Sequence, residues 1–190
     1  AGTGTVTVVE GSRLMAFGHS MYNAGELSAP IATAEVIHIL SALTGSFKMA
    51  SPIAEKGSLI RDRETGIIGE IGERSGMVPV TVIVRTPERP AQALRTEVAR
   101  HRFLTPLLAN AVMTSAVQSL APDIGDAVIQ IDSKLDVKGF PTLTQTDHLF
   151  ASEGLSAKAL AGSSGMRQLQ DLVSNPFEPV QIERLSVDVS

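Results

Sequence analysis

The sequence predicts a mainly β protein of the α+β class, with a strand-rich first half and a second half that combines an antiparallel sheet with two helices. Threonine and valine alternate near the start of the chain, as they do in a half-buried strand. Short apolar runs bounded by glycine and proline follow. Beyond residue 100, two segments carry apolar residues at helical spacing. We therefore divide the chain into residues 1–77 and residues 78–190.

The composition excludes several classes of function. The chain has 190 residues, a formal net charge of -4 and no cysteine. The negative charge and the lack of a basic stripe argue against nucleic acid as a partner, and the missing cysteines exclude disulfides, thiolate nucleophiles and cysteine-bound zinc. The apolar stretches are too short or too interrupted to span a bilayer. We favour an exported or cell-envelope protein over a cytoplasmic one. Because no signal-peptide pattern opens the sequence, an exported protein of this kind would have had its signal removed.

Two strands joined by a tight turn are predicted for the first nineteen residues. Residues 4–8 alternate, residues 10–12 interrupt the pattern, and residues 14–17 lead to Gly18 and His19. Gly18 permits a sharp turn, so the imidazole of His19 is presented at the end of a strand. A rigid position of this kind suits a general base. The other interpretation is a histidine whose ring is satisfied by a backbone carbonyl and has no chemical role.

The rest of the first half predicts a loop and further strands. Residues 20–30 are rich in turn formers, and residues 34–43 fit either a helical face or a buried strand, of which the β-branched run favours the strand. Gly66, Gly69 and Gly72 are not followed by a helix, so we interpret them as close backbone approaches in a curved strand and not as a dinucleotide loop. Shorter strands, separated by Pro52 and Gly57, are expected at residues 46–50, 58–60 and 65–71.

The second half repeats one order, a hairpin followed by a helix, and ends on a strand. A shift of the apolar positions from even to odd numbers in that last strand predicts a β-bulge near Glu183 and Arg184. Because the apolar stripes of the helices have to be buried, both helices are expected on one face of an antiparallel sheet. The predicted strands are residues 78–84, 93–99, 127–137, 143–150 and 180–189, and the predicted helices are residues 101–120 and 156–174.

The opening Gly-Thr-Gly-Thr-Val-Thr, the turn, and Leu-Met-Ala-Phe-Gly-His resemble the first motif of the sporulation stage IV B (SpoIVB) serine peptidases, which are related in architecture to the chymotrypsin-like double barrels. The likeness continues in residues 46–52 and 62–72 and covers about residues 1–85. It implies a β-barrel-like first half, related to the trypsin-like barrel. It also implies that His19 is the base that takes the proton from a serine hydroxyl, and that the substrate is a peptide or protein.

Asp62 is the candidate for the acid that fixes the tautomer of the histidine, because it follows His19 in the chain order of the chymotrypsin-like barrels. In the other interpretation Asp62 belongs to a solvated turn within residues 61–64. Glu55 and Glu64 are the substitutes for this role. The remaining histidines have no ligand spacing between them, and we expect neither a metal nor a cofactor. We interpret these three as structural or exposed: His38, His101 and His148.

The nucleophile is the point at which the sequence departs from the family pattern. The serine of the family lies in Gly-Met-Ser-Gly-Ser-Pro, which is absent here. The nearest sequence, at residues 162–166, falls in a predicted helix and lacks the proline, so Ser163 and Ser164 are not expected to be nucleophiles. In some bacterial proteins that this chain resembles, the motif precedes the Gly-Thr strand. We therefore expect the serine upstream of Ala1, on a fragment of the same precursor that self-cleavage separates from this chain.

On its own the chain is expected to be inactive as a serine endopeptidase. The alternative is a non-catalytic scaffold or peptide-binding module that has the barrel-derived fold and no nucleophile.

Overall fold

A computed structural model describes residues 2–43, 45–121, 126–151 and 157–190. The chain forms two compact units, residues 1–76 and residues 77–190. Each unit contains one five-stranded sheet, so the mainly β fold predicted from the sequence is confirmed. None of the helices in the described part of the chain has the length and apolar character of a membrane span.

The first unit is an antiparallel sheet in the order β1-β2-β5-β4-β3. Its strands are β1 (Val6–Glu10), β2 (Arg13–Ala16), β3 (Gly25–Leu40), β4 (Phe47–Arg63) and β5 (Gly66–Ile71). β1 and β2 form the predicted opening hairpin. Alternation along β2 buries one side of that strand and exposes the other. Among the described residues, the buried hydrophobic side chains of this unit are few: Leu14, Ala16, Leu27, Leu59 and Ile67.

β3 and β4 are much longer than predicted. β3 begins at Gly25, inside the segment predicted as a loop, and β4 runs without interruption through Pro52 and Gly57. Pro52 is tolerated because the part of β4 before Gly57 pairs with β3 alone. The other edge of this part of the strand forms no hydrogen bonds to a neighbouring strand, so an N–H group is not required there. Gly57 is required because a Cβ at this position would collide with the backbone carbonyl of Glu70. The two residues that appeared to separate short strands therefore lie within one long strand.

The barrel expected for residues 1–77 is not confirmed. Within the described residues the sheet is open, and β1 and β3 are its edges. Closure requires the edge strands to pair along their length, but β1 has 5 residues and β3 has 16. The outer parts of β3 and β4 continue beyond the other strands as a two-stranded extension. We call residues 32–40 and 47–55 the β3–β4 ribbon.

The second unit packs its helices on one face of a sheet in the order β7-β6-β10-β8-β9. Alternate positions of the central strands are buried and form one hydrophobic core with the helices. The strands are β6 (Met77–Thr86), β7 (Arg89–Ala99), β8 (Ala127–Val137), β9 (Leu143–Ala151) and β10 (Ile182–Val189). The helices are α1 (Leu104–Leu120), α2 (Ala157–Ala161) and α3 (Ser164–Val173).

The order of hairpins, helices and final strand predicted for the second unit is confirmed. The bulge expected near Glu183 and Arg184 is confirmed by a register shift between Ile182 and Arg184. The sheet is mixed, however, and the prediction of a wholly antiparallel sheet is wrong. β10 lies between β6 and β8, which run in opposite directions, so it is parallel to β6 and antiparallel to β8.

The predicted helix at residues 156–174 is not continuous. Residue 156 lies outside the described residues, α2 ends at Ala161, and α3 begins at Ser164. The backbone N–H of Ser164 donates to Oδ2 of Asp147 at 2.8 Å, and the hydroxyl of Ser164 donates to Oδ1 at 2.7 Å. The carboxylate on β9 therefore satisfies a free N–H group at the start of α3, as a capping residue does.

Candidate functional site

His19 follows β2 in a sharply turned backbone segment. Phe17 and Gly18 both have left-handed conformations, with φ of 74° and 71°. This conformation is unfavourable for a bulky residue such as phenylalanine, and strained backbone positions cluster at functional sites. The turn leaves His19 exposed at the end of the strand.

A backbone carbonyl orients the His19 ring. Nδ1 lies 2.7 Å from the carbonyl oxygen of Ser20. A carbonyl oxygen can only accept, so Nδ1 carries the proton and Nε2 of the neutral ring keeps its lone pair. Among the described residues, Nε2 has no hydrogen-bond partner. An imidazole in this tautomer is able to take up a proton at Nε2.

An open cavity of about 370 Å³ lies beside the ring. The residues that line it are 2–5 and Thr7 from the N-terminal segment, and Phe17 and 19–21 from the turn after β2. The centroids of the Phe17 and His19 rings are 5.8 Å apart. A Cβ on Gly4 would overlap the Phe17 ring, so glycine at this position allows the ring to pack against the N-terminal segment.

Asp62 is fully buried near the end of β4. The backbone N–H of Met21 donates to its Oδ1 at 2.7 Å. The N–H groups of Tyr22 and Ala24 donate to its Oδ2 at 2.6 and 3.3 Å. These amides belong to the loop after His19, so the carboxylate holds that loop. Asp62 makes no hydrogen bond to His19 within the described residues, and its place in a strand excludes the solvated-turn interpretation.

The other acids and histidines considered from the sequence do not come together at this cavity. Glu55 and Glu64 are exposed, and so are His38 in the ribbon and His148 on β9. The ring of His101 accepts backbone N–H groups at the start of α1 through Nδ1.

Ser163 and Ser164 lie at the break between α2 and α3. Ser163 is buried, and its hydroxyl has no hydrogen-bond partner in the described part of the chain. The hydroxyl of Ser164 donates to Asp147. A serine nucleophile needs a base within hydrogen-bonding reach, and among the described residues neither serine contacts a histidine.

Sequence reasoning missed two parts of this site, Gly4 and Phe17. A backbone carbonyl at the His19 ring was one of the two interpretations of that histidine, and Ser20 provides it. The alternation in Gly-Thr-Gly-Thr contained one usable signal, because it places two residues without side chains on the same side of an extended segment. The left-handed φ of Phe17 has no such signal.

Comparisons with protein-family models, with curated proteins and with solved structures gave no match. Within residues 2–43, 45–121, 126–151 and 157–190, no group of three or more metal-ligating side chains occurs. The function therefore has to be argued from the geometry around His19.

Proposed function

We propose that this chain is the histidine-bearing part of a serine peptidase of the sporulation stage IV B type. His19 is the general base, and the substrate is a peptide or protein. The nucleophilic serine lies on an upstream segment of the same precursor, outside these 190 residues. The chain alone does not hydrolyse peptides.

The state of the His19 ring is the observation that carries this proposal. The ring is exposed beside a cavity, its Nδ1–H is held by the Ser20 carbonyl, and its Nε2 is unpaired among the described residues. In peptide cleavage, Nε2 takes the proton of the serine hydroxyl as the oxygen attacks the substrate carbonyl, and later returns it to the leaving amine. A carbonyl acceptor at Nδ1 fixes the tautomer that this step requires.

Asp62 supports the proposed site as a positioning residue. It accepts hydrogen bonds from the N–H groups of Met21, Tyr22 and Ala24, in the loop that begins at the carbonyl that orients the ring. We infer that the open five-stranded sheet corresponds to part of a chymotrypsin-like barrel. The remaining strands come with the serine-bearing segment and add at the β1 edge, where Val6 and Val9 are exposed.

Labelling with a fluorophosphonate probe tests the proposal, because the probe reacts with an activated serine. The 190-residue chain alone should not be labelled. A chain extended upstream, or this chain mixed with the upstream fragment, should be labelled at one serine. His19→Ala should abolish the labelling, since the base is lost. His38→Ala is the matched control and should leave the labelling unchanged, because His38 is exposed in the ribbon.

Two results would contradict the proposal in different ways. Stoichiometric labelling of the isolated chain at Ser163 or Ser164 would show that the nucleophile is in the second unit. An extended chain that is folded but not labelled would remove the catalytic role of His19.

A non-catalytic peptide-binding or scaffold module is the second candidate, and one observation favours it. Within the described residues, no carboxylate is hydrogen-bonded to His19, because the oxygens of Asp62 are occupied by the loop. An extended peptide can then pair with a free sheet edge without being cleaved. Peptide binding that persists in His19→Ala, together with no probe labelling of the extended chain, would support this function.

A further inference from the structure

The cavity beside the His19 ring has an uncharged lining. Apart from His19 itself, the described residues that line it are glycines, threonines, a serine, Phe17 and Met21, and none of these is an acid or a base. With a volume of about 370 Å³, the cavity is large enough for an amino-acid side chain. A charged group that leaves water and meets no partner costs free energy. The cavity is therefore suited to an uncharged group.

The chemistry proposed for His19 determines which part of a substrate lies beside this cavity, so the inference rests on the proposed function. Nε2 returns its proton to the leaving amine, and the amine nitrogen has to come within about 3 Å of the ring for this step. The side chain of the residue that carries the amine starts from the adjacent Cα. We therefore expect the residue that directly follows the cleaved bond to place its side chain at the cavity.

Met21 lines the cavity with a side chain that is free to contact a substrate. Its backbone N–H donates to Oδ1 of Asp62 at 2.7 Å, so the loop is held at this residue without the side chain. The side chain is partly exposed, and its Sδ lies close to Gly2, where a Cβ would be 2.7 Å away. A flexible, polarisable thioether adapts to apolar groups of different shapes.

Phe17 is the other large apolar residue of the lining, and its ring is more constrained. A Cβ on Gly4 would overlap the ring, and the backbone of Phe17 has a φ of 74°. A substitution of Phe17 would therefore change the packing of the N-terminal segment and the backbone strain as well as the cavity. Met21 is the position at which the chemistry of the lining can be changed while the backbone contact to Asp62 is kept.

We propose that Met21 is a specificity-determining residue of the peptidase, and that the cavity it lines selects an uncharged residue directly after the cleaved bond. Apolar side chains at this position of the substrate contact the thioether and the Phe17 ring. Acidic and basic side chains lose part of their hydration at the cavity and find no partner of opposite charge, so they are disfavoured.

Cleavage of a synthetic peptide library by the chain extended upstream tests the proposal. The library contains all residue types at equal frequency, and mass spectrometry identifies the cleaved bonds. Aspartate, glutamate, lysine and arginine should be at least about tenfold under-represented directly after the cleaved bond, because an unpaired charge is partly desolvated there. No such depletion at this position would overturn the proposal.

Two charge variants of Met21 should change the selection in opposite directions. In Met21→Glu, lysine and arginine after the cleaved bond should become about fivefold more frequent, as expected for a partly exposed ion pair. In Met21→Lys, aspartate and glutamate should increase by a similar factor. Met15→Glu is the matched control, because Met15 is an exposed methionine of β2 that does not line the cavity, and it should leave the selection unchanged.

The outcomes separate this inference from the proposed function. A folded extended chain that a fluorophosphonate probe does not label overturns both. A labelled chain whose selection is the same in Met21→Glu and Met21→Lys, or changes equally in Met15→Glu, overturns the role of Met21 alone. Loss of all cleavage in both Met21 variants, with slow hydrogen exchange of the loop amides retained, would give this side chain a part in the reaction itself and also overturn its assignment to selectivity.

Discussion

The two units of this chain are stabilised in different ways. In the second unit, strands and helices bury one continuous hydrophobic core. The first unit buries few apolar side chains among its described residues, and it places a carboxylate, Asp62, in the interior to hold a loop. The candidate site therefore lies in the unit with less hydrophobic stabilisation. Its geometry depends on a few polar contacts, and many of its large apolar side chains are exposed.

The largest effect on stability is expected from the core of the second unit. Leu169 on α3 is fully buried. Leu169→Ala should lower the free energy of unfolding by about 3 kcal/mol, because it removes buried methyl groups and leaves a cavity. Urea unfolding monitored by circular dichroism measures the change. Leu107→Ala on α1 is the control, since Leu107 is 62% exposed, and it should change stability by less than about 0.5 kcal/mol. Equal effects of the two variants would contradict the difference between core and surface.

The next largest effect on stability is expected from Asp62, a buried polar residue of the first unit. Asp62→Asn places an amide N–H group where a carboxylate oxygen accepted backbone N–H groups. We expect a loss of about 2 kcal/mol for the loop, since buried donors lose their acceptor. Hydrogen exchange at the amides of Met21 and Tyr22 should become about 30-fold faster, which is the same free energy expressed as a ratio.

Glu64→Gln is the matched control for Asp62→Asn, because Glu64 is exposed in the following turn. It should leave the exchange of the loop amides unchanged. Unchanged exchange in Asp62→Asn itself would show that the carboxylate does not hold the loop, and the site would then be stabilised by other contacts.

The fold was predictable from the sequence where a pattern repeats over many residues. The alternation in β6 and β8, the stripe of α1 and the phase shift near Arg184 are local signals of this kind. The features that were missed depend on residues distant in sequence. The break before α3 requires Asp147 from β9, and the parallel pairing of β10 follows from its insertion between two strands.

The candidate site was also predictable only where a local pattern marked it. His19 lies at the end of the opening hairpin, as the alternation and Gly18 indicated. The partner of its Nδ1 was not predictable, because a carbonyl and a carboxylate satisfy an imidazole N–H equally well. The hydrogen-bond donors to Asp62 were not predictable for a related reason. The position of Asp62 in the sequence does not show whether its carboxylate accepts from a histidine ring or from backbone N–H groups.

Gly4→Ala should have a smaller effect on stability and a local effect on the site. The added methyl group overlaps the ring of Phe17, so the ring has to move. We expect a cost of about 1 kcal/mol from overpacking. The NMR signals of the His19 ring should shift, because the Phe17 ring is its aromatic neighbour. In Phe17→Ala, where the ring is absent, adding Gly4→Ala should cost almost nothing. Additive costs in the double variant would show that Gly4 does not act through Phe17.

The smallest effect on stability is expected from Asp132 in the second unit. Its carboxylate lies on the sheet face opposite the helices and accepts hydrogen bonds from two side chains. The hydroxyl of Thr146 donates to Asp132 at 2.6 Å, and Nε2 of Gln130 donates at 2.7 Å. These hydrogen bonds, that of Thr146 first, lower the pKa of Asp132 below its usual value, because they favour the charged form. The contribution of Asp132 to the free energy of unfolding is fully present at a pH above the pKa that this residue has in the unfolded chain. It is lost as the pH falls through the lower pKa that the residue has in the folded chain.

Thr146→Val should therefore raise the pKa of Asp132 towards its usual value, which a carbon-detected NMR titration of the carboxyl group measures. Thr144→Val, a change at an exposed neighbour on β9, should leave the pKa of Asp132 unchanged. An unchanged pKa in Thr146→Val would mean that the hydroxyl does not bond to the charged carboxylate in solution. By the same linkage, a raised pKa of Asp132 should lower the free energy of unfolding slightly at neutral pH, and this loss should disappear at a pH below the pKa of the folded chain. The same kind of group in the first unit, Asp62, holds the loop beside His19.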